Sequence, residues 1–285
     1  MKFPTNPAQS LKLLFYSLLV SILLLYLSFL NCEPKIAKVK KRAVSLVPSI
    51  TEIIFALGKD DCLVGNTIYC DYPEEAKKIY KVGDFSNPNL EKIVGLKPDI
   101  VFATMPEQKI IIERLKELKI PVFVSQPVSI DSMLKEIKAI GKILGVPQKG
   151  ESLTMALATE LDQIKPKNLA IPVYLEIAQT PLITVGGGSF INDVLNRAGG
   201  RNIFGFLTQE YPVIDAEAVI KLNPKVIFIL HPLAKKEEVK KRIGWQKITA
   251  VKENRIYDDV NPDLIFRPGP RIVQGIKALM ARISE

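Results

Sequence analysis

The 285-residue chain contains one histidine, His231, and three cysteines, Cys32, Cys62 and Cys70. A nucleophilic hydrolase needs a Ser or Cys nucleophile beside a His base. His231 follows an apolar run, in HPLAKKEE, and no G-x-S-x-G occurs anywhere. It reads as a strand-end residue rather than a base. One His excludes a multi-His metal centre, and three Cys cannot build a four-Cys zinc site, so no metal site is expected. The segment VGGGS (185–189) could receive an anion at a helix N-terminus. It lacks both the G-x-x-x-x-G-K-[ST] and the G-x-G-x-x-G spacing, and reads as a tight strand-to-helix turn. No motif marks a paired-carboxylate glycosidase. An exported hydrolase is thus the weaker class of function, an adhesin a further one, and small-molecule binding the stronger.

Aromatic residues at expected strand ends carry that reading. Tyr69, Tyr72 and Phe85 lie in the first half of the chain; Tyr211 and Phe266, with the acid Asp263, lie in the second. Such rings pack on a large, flat, partly apolar ligand, and one acid can accept a hydrogen bond from it. Taken singly, each ring is explained by ordinary packing; only the set points to a ligand.

The elements that must position these residues alternate. Strands are expected at AVSLV (43–47), LVGNTI (63–68), DIVFA (99–103) and PVFVS (121–125), and helices at 50–58, 90–96, 107–118 and 130–144. Pro147 and Pro166 bracket the longest helical pattern, with Leu153, Leu157 and Leu161 at i, i+4 and i+8. The alternation then restarts with PVYLEI (172–177), LITVG (182–186), helices near 189–198 and 215–222, KVIFIL (225–230), RIYDD (255–259) and a helix near 270–283. Strand–helix alternation favours parallel α/β layers. The expectation is an α/β fold of two Rossmann-like lobes with parallel sheets, 43–146 and 168–285, bridged by one long α-helix at 147–167. One bridging helix should make a stiff hinge with modest closure.

An internal repeat supports two related lobes. LEKIVGLKPDIVFA (90–103) and AEAVIKLNPKVIFI (216–229) align at an offset of 126, pairing Glu91 with Glu217, Leu96 with Leu222, Pro98 with Pro224 and Phe102 with Phe228. Each copy reads as helix, Pro turn and buried strand. A cleft between related lobes is a usual place for a ligand. The repeat also presents Glu91 and Glu217 at equivalent positions, where either alone would read as a solvated helix residue.

Charge and hydropathy separate the first 42 residues from the rest. Of the net +9, residues 43–285 contribute only +3, with 32 Lys or Arg against 29 Asp or Glu. A nearly balanced body argues against nucleic acid as a partner. Residues 13–30, LLFYSLLVSILLLYLSFL, follow Lys2 and Lys12 and as a helix would reach roughly 27 Å, near the thickness of a bilayer core. The run ends at Asn31-Cys32. SFLNC (28–32) resembles a bacterial lipobox, in which Cys32 becomes the lipidated first residue; an uncleaved membrane anchor is the other reading. Both export the body to the periplasm or cell envelope. EPKIAKVKKR (33–42) would be a basic tether beside anionic lipid. Cys62 and Cys70 flank a strand whose ends lie roughly 15–20 Å apart, too far for a disulfide, and read as buried free thiols.

VSLVPSITEIIFALG (44–58), YCDYP (69–73), VGDFSNPNLEKIVGLKPDIVFA (82–103) and ENRIYDDVNPD (253–263) together resemble the periplasmic cobalamin and iron-siderophore binding proteins of ABC importers. The likeness runs from about residue 42 to 282, and the cobalamin-binding branch is nearest. It implies capture of a small molecule in the cleft, delivery by a monomer to the permease, no chemistry and no cofactor. The implied ligand contacts are Pro48, Tyr69, Phe85, Tyr211, Asp263 and Phe266. Phe85 and Tyr211 stand where the branch has larger aromatics. Glu91 and Glu217 match the two acids that dock on permease arginines. The implied cargo is cobalamin, with haem or a ferric siderophore as the alternative.

Overall fold

The computed structural model describes residues 41–167 and 170–285. The export segment, Cys32 and the tether up to residue 40 lie outside the described residues. Strands β1 (Ala43–Ser45), β2 (Leu63–Asn66), β3 (Ile100–Thr104) and β4 (Val122–Ser125) form an all-parallel sheet in the order β2-β1-β3-β4. Around it lie α1 (Pro48–Ala56), α2 (Leu90–Gly95), α3 (Lys109–Glu117) and α4 (Ile130–Ile143). A second sheet holds β5 (Ile171–Gln179), β6 (Leu182–Thr184), β7 (Gly200–Asn202), β8 (Val226–Ile229) and β9 (Ile256–Tyr257) in the order β6-β5-β8-β9, with β7 also on β5. Its longer helices are α6 (Phe190–Arg197), α7 (Ala216–Leu222) and the C-terminal α8 (Ile272–Ser284), and α5 (Pro147–Asp162) joins the lobes.

β7 and the short helices Lys236–Lys240, Thr249–Lys252 and Asp263–Phe266 were not expected from sequence, and three further departures each have a local reason. β6 runs antiparallel to β5. Only Thr180 and Pro181 separate the two strands, too few for a crossover, so the chain folds back as a hairpin. β2 stops at Asn66, where the chain leaves β1 to bond with the segment at Tyr80–Gly83 through Asn66 N–H to Tyr80 O and Ile68 N–H to Gly83 O. The bridging helix ends at Asp162 rather than Pro166. There the carbonyl of Leu161 accepts from the Ile164 N–H at 3.1 Å and from the Arg197 guanidinium at 2.8 Å, in place of a continuing helical bond.

Helices α4 and α5 form a tight hairpin. A Cβ on Gly141 would lie 3.1 Å from the Gly150 Cα, so the pair of glycines lets two backbones touch. The repeat survives as structure. β3 and β8 occupy the same third place in their sheets, and each is preceded by a left-handed residue before proline, Lys97 (φ 47°) and Asn223 (φ 43°). The same backbone irregularity thus separates helix from strand in both copies.

Strand alternation builds the core. Ala43, Ile100 and Phe102 face one way while Val44, Val101 and Ala103 face the other. In the second sheet Val173, Leu175, Val226 and Phe228 oppose Tyr174, Ile227 and Ile229. The first-named faces of both sheets belong to a single continuous cluster that also takes Ile53 from α1, Ile137 from α4, Leu157 from α5, Val194 from α6 and Ile276 from α8. The lobes therefore share a central core and do not hang from a helix alone.

Candidate ligand-binding cleft

A cleft of about 500 Å³ opens where the C-terminal ends of β1, β3 and β4 face the second lobe, the usual ligand crevice of parallel α/β sheets. Pro48, Tyr69 and Phe85 line it from the first lobe, and Tyr211, Asp263 and Phe266 from the second. The two phenols are only partly covered, Tyr69 at 54% and Tyr211 at 43% exposure. Tyr72 lies elsewhere: its ring sits beneath the Arg271 guanidinium at 3.9 Å. His231 is also away from the cleft. Its Nδ1 accepts from the Leu233 N–H, and its Nε2 lies 3.1 Å from a carboxylate oxygen of the fully buried Glu176, which Arg242 grips at 2.5 and 2.7 Å. His231 is thus part of a buried polar cluster under β5 and β8, a role beyond its expected place at a strand end.

Three polar side chains hold the loops that carry the cleft wall. Gln108, 1% exposed, donates to the carbonyls of Leu46 at 3.0 Å and Phe85 at 2.7 Å and accepts from the Thr104 N–H at 3.0 Å. One amide thus fixes three strand-end segments. The Lys81 ammonium donates to Asn66 Oδ1 and to the carbonyls of Thr67, Cys70 and Ala76 within 3.2 Å, closing the loop that presents Tyr69. Its burial pulls its pKa below the ordinary lysine value. Glu136 takes the Ser125 hydroxyl at 2.5 Å and the Gln126 N–H at 2.9 Å, and burial pushes its carboxyl up. Cys62 and Cys70 are buried free thiols, and Cys70 Sγ sits 3.3 Å from the Thr67 hydroxyl.

The turn VGGGS also shapes the wall. A Cβ on Gly186, Gly187 or Gly188 would meet the carbonyls of Gln209, Gly205 and Thr208 at 1.9, 2.1 and 2.5 Å. Only bare backbone lets the segment 205–209 lie this close, and that segment leads straight into Glu210 and Tyr211. The glycines therefore serve backbone packing beside the cleft. Ser189 caps α6 through the Asn192 N–H.

An ion cluster closes one end of the cleft. Glu52, on α1 and 4% exposed, accepts from Arg271 at 2.5 and 2.7 Å and from Arg267 at 3.2 Å. Arg267 also binds Asp71 at 2.8 Å and Asp263 at 3.0 Å. Asp263 is thus half committed to a neighbour. Glu52, Asp71, Arg267 and Arg271 were not singled out from sequence. The available signal was Glu52 itself, one acid inside the apolar helix PSITEIIFA. Among the described residues no group of three or more His, Cys, Asp or Glu side chains is arranged to hold a metal ion, and no helix is long and apolar enough to cross a membrane.

Glu91 and Glu217 stand at the second position of α2 and α7, both exposed and both outside the cleft lining. Lobe equivalence is therefore visible in the structure, while the cleft residues come from non-equivalent loops.

Residues 44–262 match the model of a family described as periplasmic binding protein. The chain is 38% identical to an uncharacterized ABC transporter substrate-binding lipoprotein of Bacillus subtilis, YvrC, across 89% of this chain and 83% of that one. It is 31% identical to a vitamin B12-binding protein of Vibrio vulnificus across 94% of this chain and 97% of that one. Among solved structures, a periplasmic heme-binding protein of Roseiflexus, RhuT, superposes with a TM-score of 0.75 at 25% identity, covering 86% of this chain and 98% of that one.

The half-exposed Asp71 gives the ion cluster a pH signature. Burial raises its carboxyl, but the hydrogen bond and charge of Arg267 outweigh this and hold it below the ordinary carboxylate value. A depressed folded value means that the contribution of Asp71 is complete above the unfolded value, about pH 4, and is lost as pH falls through the folded one. Thermal denaturation of wild type and Asp71→Asn should differ by a constant amount from neutral pH down to about pH 5, and the gap should shrink below about pH 4. A gap independent of pH would show that Arg267 does not depend on the Asp71 charge.

Proposed function

The chain belongs to the periplasmic binding protein family, and from that premise we propose that it captures a corrinoid of the vitamin B12 type in its cleft and hands it to the permease of an ABC importer. As a substrate-binding protein of the B12, haem and siderophore group, it is a non-enzymatic transport component that needs no cofactor of its own. The observation that carries the corrinoid reading is that Tyr69, Phe85, Tyr211 and Asp263, matched from sequence to the cobalamin-binding branch, line one cleft together with Pro48 and Phe266. Aromatic rings there suit the face and edges of a large ring system, and partly exposed phenols suit its amide side chains. The vitamin B12-binding relative, similar over nearly its whole length, supports the same cargo.

Haem or a ferric siderophore is the second reading, favoured by the haem-binding protein of the same fold and by the open phenol of Tyr69. Partial burial of Tyr211, with the carboxylates of Glu210 and Glu107, pushes its hydroxyl up to about 12. Calorimetric titration with cyanocobalamin should show saturable binding below about 10 µM, roughly −7 kcal/mol. No heat or fluorescence change at tens of micromolar, together with a Soret band formed on adding haemin, would transfer the proposal to haem.

Glu91 and Glu217 are the proposed handles for the permease, because each stands exposed on the corresponding helix of its lobe. Glu91→Arg with Glu217→Arg should abolish uptake and leave corrinoid affinity intact. Loss of affinity in that variant would place these residues in ligand binding instead. For localisation, the reading is an exported, envelope-associated monomer held by lipid on Cys32 and spaced from the membrane by the basic tether, as the lipoprotein name of the Bacillus relative encourages. Cys32→Ala should remove the lipid label from cells grown with tagged palmitate; undiminished labelling would exclude Cys32 as the attachment point.

A further inference from the structure

The charged side chains of the cleft are unequal in number and in partnership. Four line it: Glu107, Glu210, Asp263 and Arg267. The single base, Arg267, is already bound by Asp71, Asp263 and Glu52. The cluster it belongs to holds three carboxylates against two guanidiniums, the second being Arg271. Glu107 and Glu210 have no ion pair within 4 Å among the described residues. They come from opposite lobes, one just beyond β3 and one just before Tyr211, and both carboxylates act on the Tyr211 hydroxyl. The two acids therefore line the same cleft, one from each wall. This negative lining belongs to a protein whose body carries +3, so it is a local arrangement and not a reflection of overall charge.

We propose that Glu107 and Glu210 make the cleft select its cargo by charge, favouring ligands with net positive charge over anionic ones such as haem, with its propionates, or ferric catecholates. The inference rests on the corrinoid reading and narrows it to cationic corrinoids, those whose cobalt carries water in place of an anionic ligand. Arg267 is the one base among the cleft-lining residues, and both of its terminal nitrogens are already on carboxylates, which disfavours a propionate or phosphate there. A cation entering between the two walls instead gains two carboxylates that have no other partner. At the water-exposed rim the gain is modest and screened by salt.

Aquocobalamin and cyanocobalamin test this, since they share one shape and differ by one unit of charge. At low ionic strength, and at a pH where the cobalt-bound water stays protonated, aquocobalamin should bind about 3- to 10-fold tighter. The ratio should fall toward one in about 0.5 M salt and in the Glu107→Gln, Glu210→Gln double variant. A ratio within one variant is insensitive to partial loss of folded protein. Equal affinities in the wild type would overturn the inference while leaving the corrinoid reading standing. A preference that survives both salt and the double substitution would also overturn it, by pointing to coordination of the cobalt. If neither corrinoid binds, the corrinoid reading fails, and the charge inference is decided by ferrioxamine B, a cationic ferric hydroxamate, against haemin. Glutamate-dependent preference for ferrioxamine B sustains it, and tighter binding of haemin overturns it.

Discussion

The carboxylate of Glu52 is the constraint on which the arrangement of the two lobes depends. It sits on the first helix of the first lobe, removed from water, and its compensation comes from Arg267 and Arg271, more than 200 residues further along the chain. A buried charge without its partner is costly, and breaking such a pair costs about 3–5 kcal/mol. The segment 263–271 is therefore fixed against α1, and the consequences reach the cleft. Arg267 draws in Asp71 and Asp263, Arg271 lies on the ring of Tyr72, and the loops bearing Tyr69 and Phe266 come to rest on the same ion cluster. On the opposite flank Asp193 of the second lobe accepts the N–H of Ile130 at 2.8 Å, a second tie between α6 and the start of α4.

Most of the architecture was legible in sequence because the fold is built of short strands buried on both faces and amphipathic helices punctuated by Pro and Gly. The repeat at 90–103 and 216–229 was legible for the same reason: it reproduces a helix, a turn before proline and a central strand. The antiparallel β6 was hidden in LITVG because pairing direction depends on the length of the preceding turn rather than on the strand residues. The aromatic members of the cleft could be named in advance because they cluster at expected strand ends, and resemblance to a family added roles for some of them; taken singly, each would have read as packing.

The polar framework was illegible, for a physical reason. Gln108 lies in the unremarkable polar run PEQK, yet it bonds Leu46, Phe85 and Thr104, which only tertiary structure brings together. Lys81 looks like any surface lysine until the loop 66–76 wraps it with carbonyl oxygens. Glu176 and His231 left a fainter trace, one acid and one imidazole against strands that are otherwise apolar, and they meet only because β5 and β8 are neighbours. Buried polar groups find partners across the sequence, so the signal available in one segment is at most the oddity of a polar residue in apolar company.

The core shared by the two lobes has a kinetic consequence. Drawing the sheets apart would bring α1, α4, α5, α6 and α8 out of a common cluster and expose apolar surface at about 25 cal/mol for each Å². Wide gaping is thus disfavoured in the empty protein, and a cleft with its walls already in place pays little of the affinity penalty that falls on receptors whose competent state is rarely populated. Its association rate should be governed by encounter at the rim and its residence time by the contacts made there, so that differences among cargoes appear chiefly as differences in how fast each one leaves.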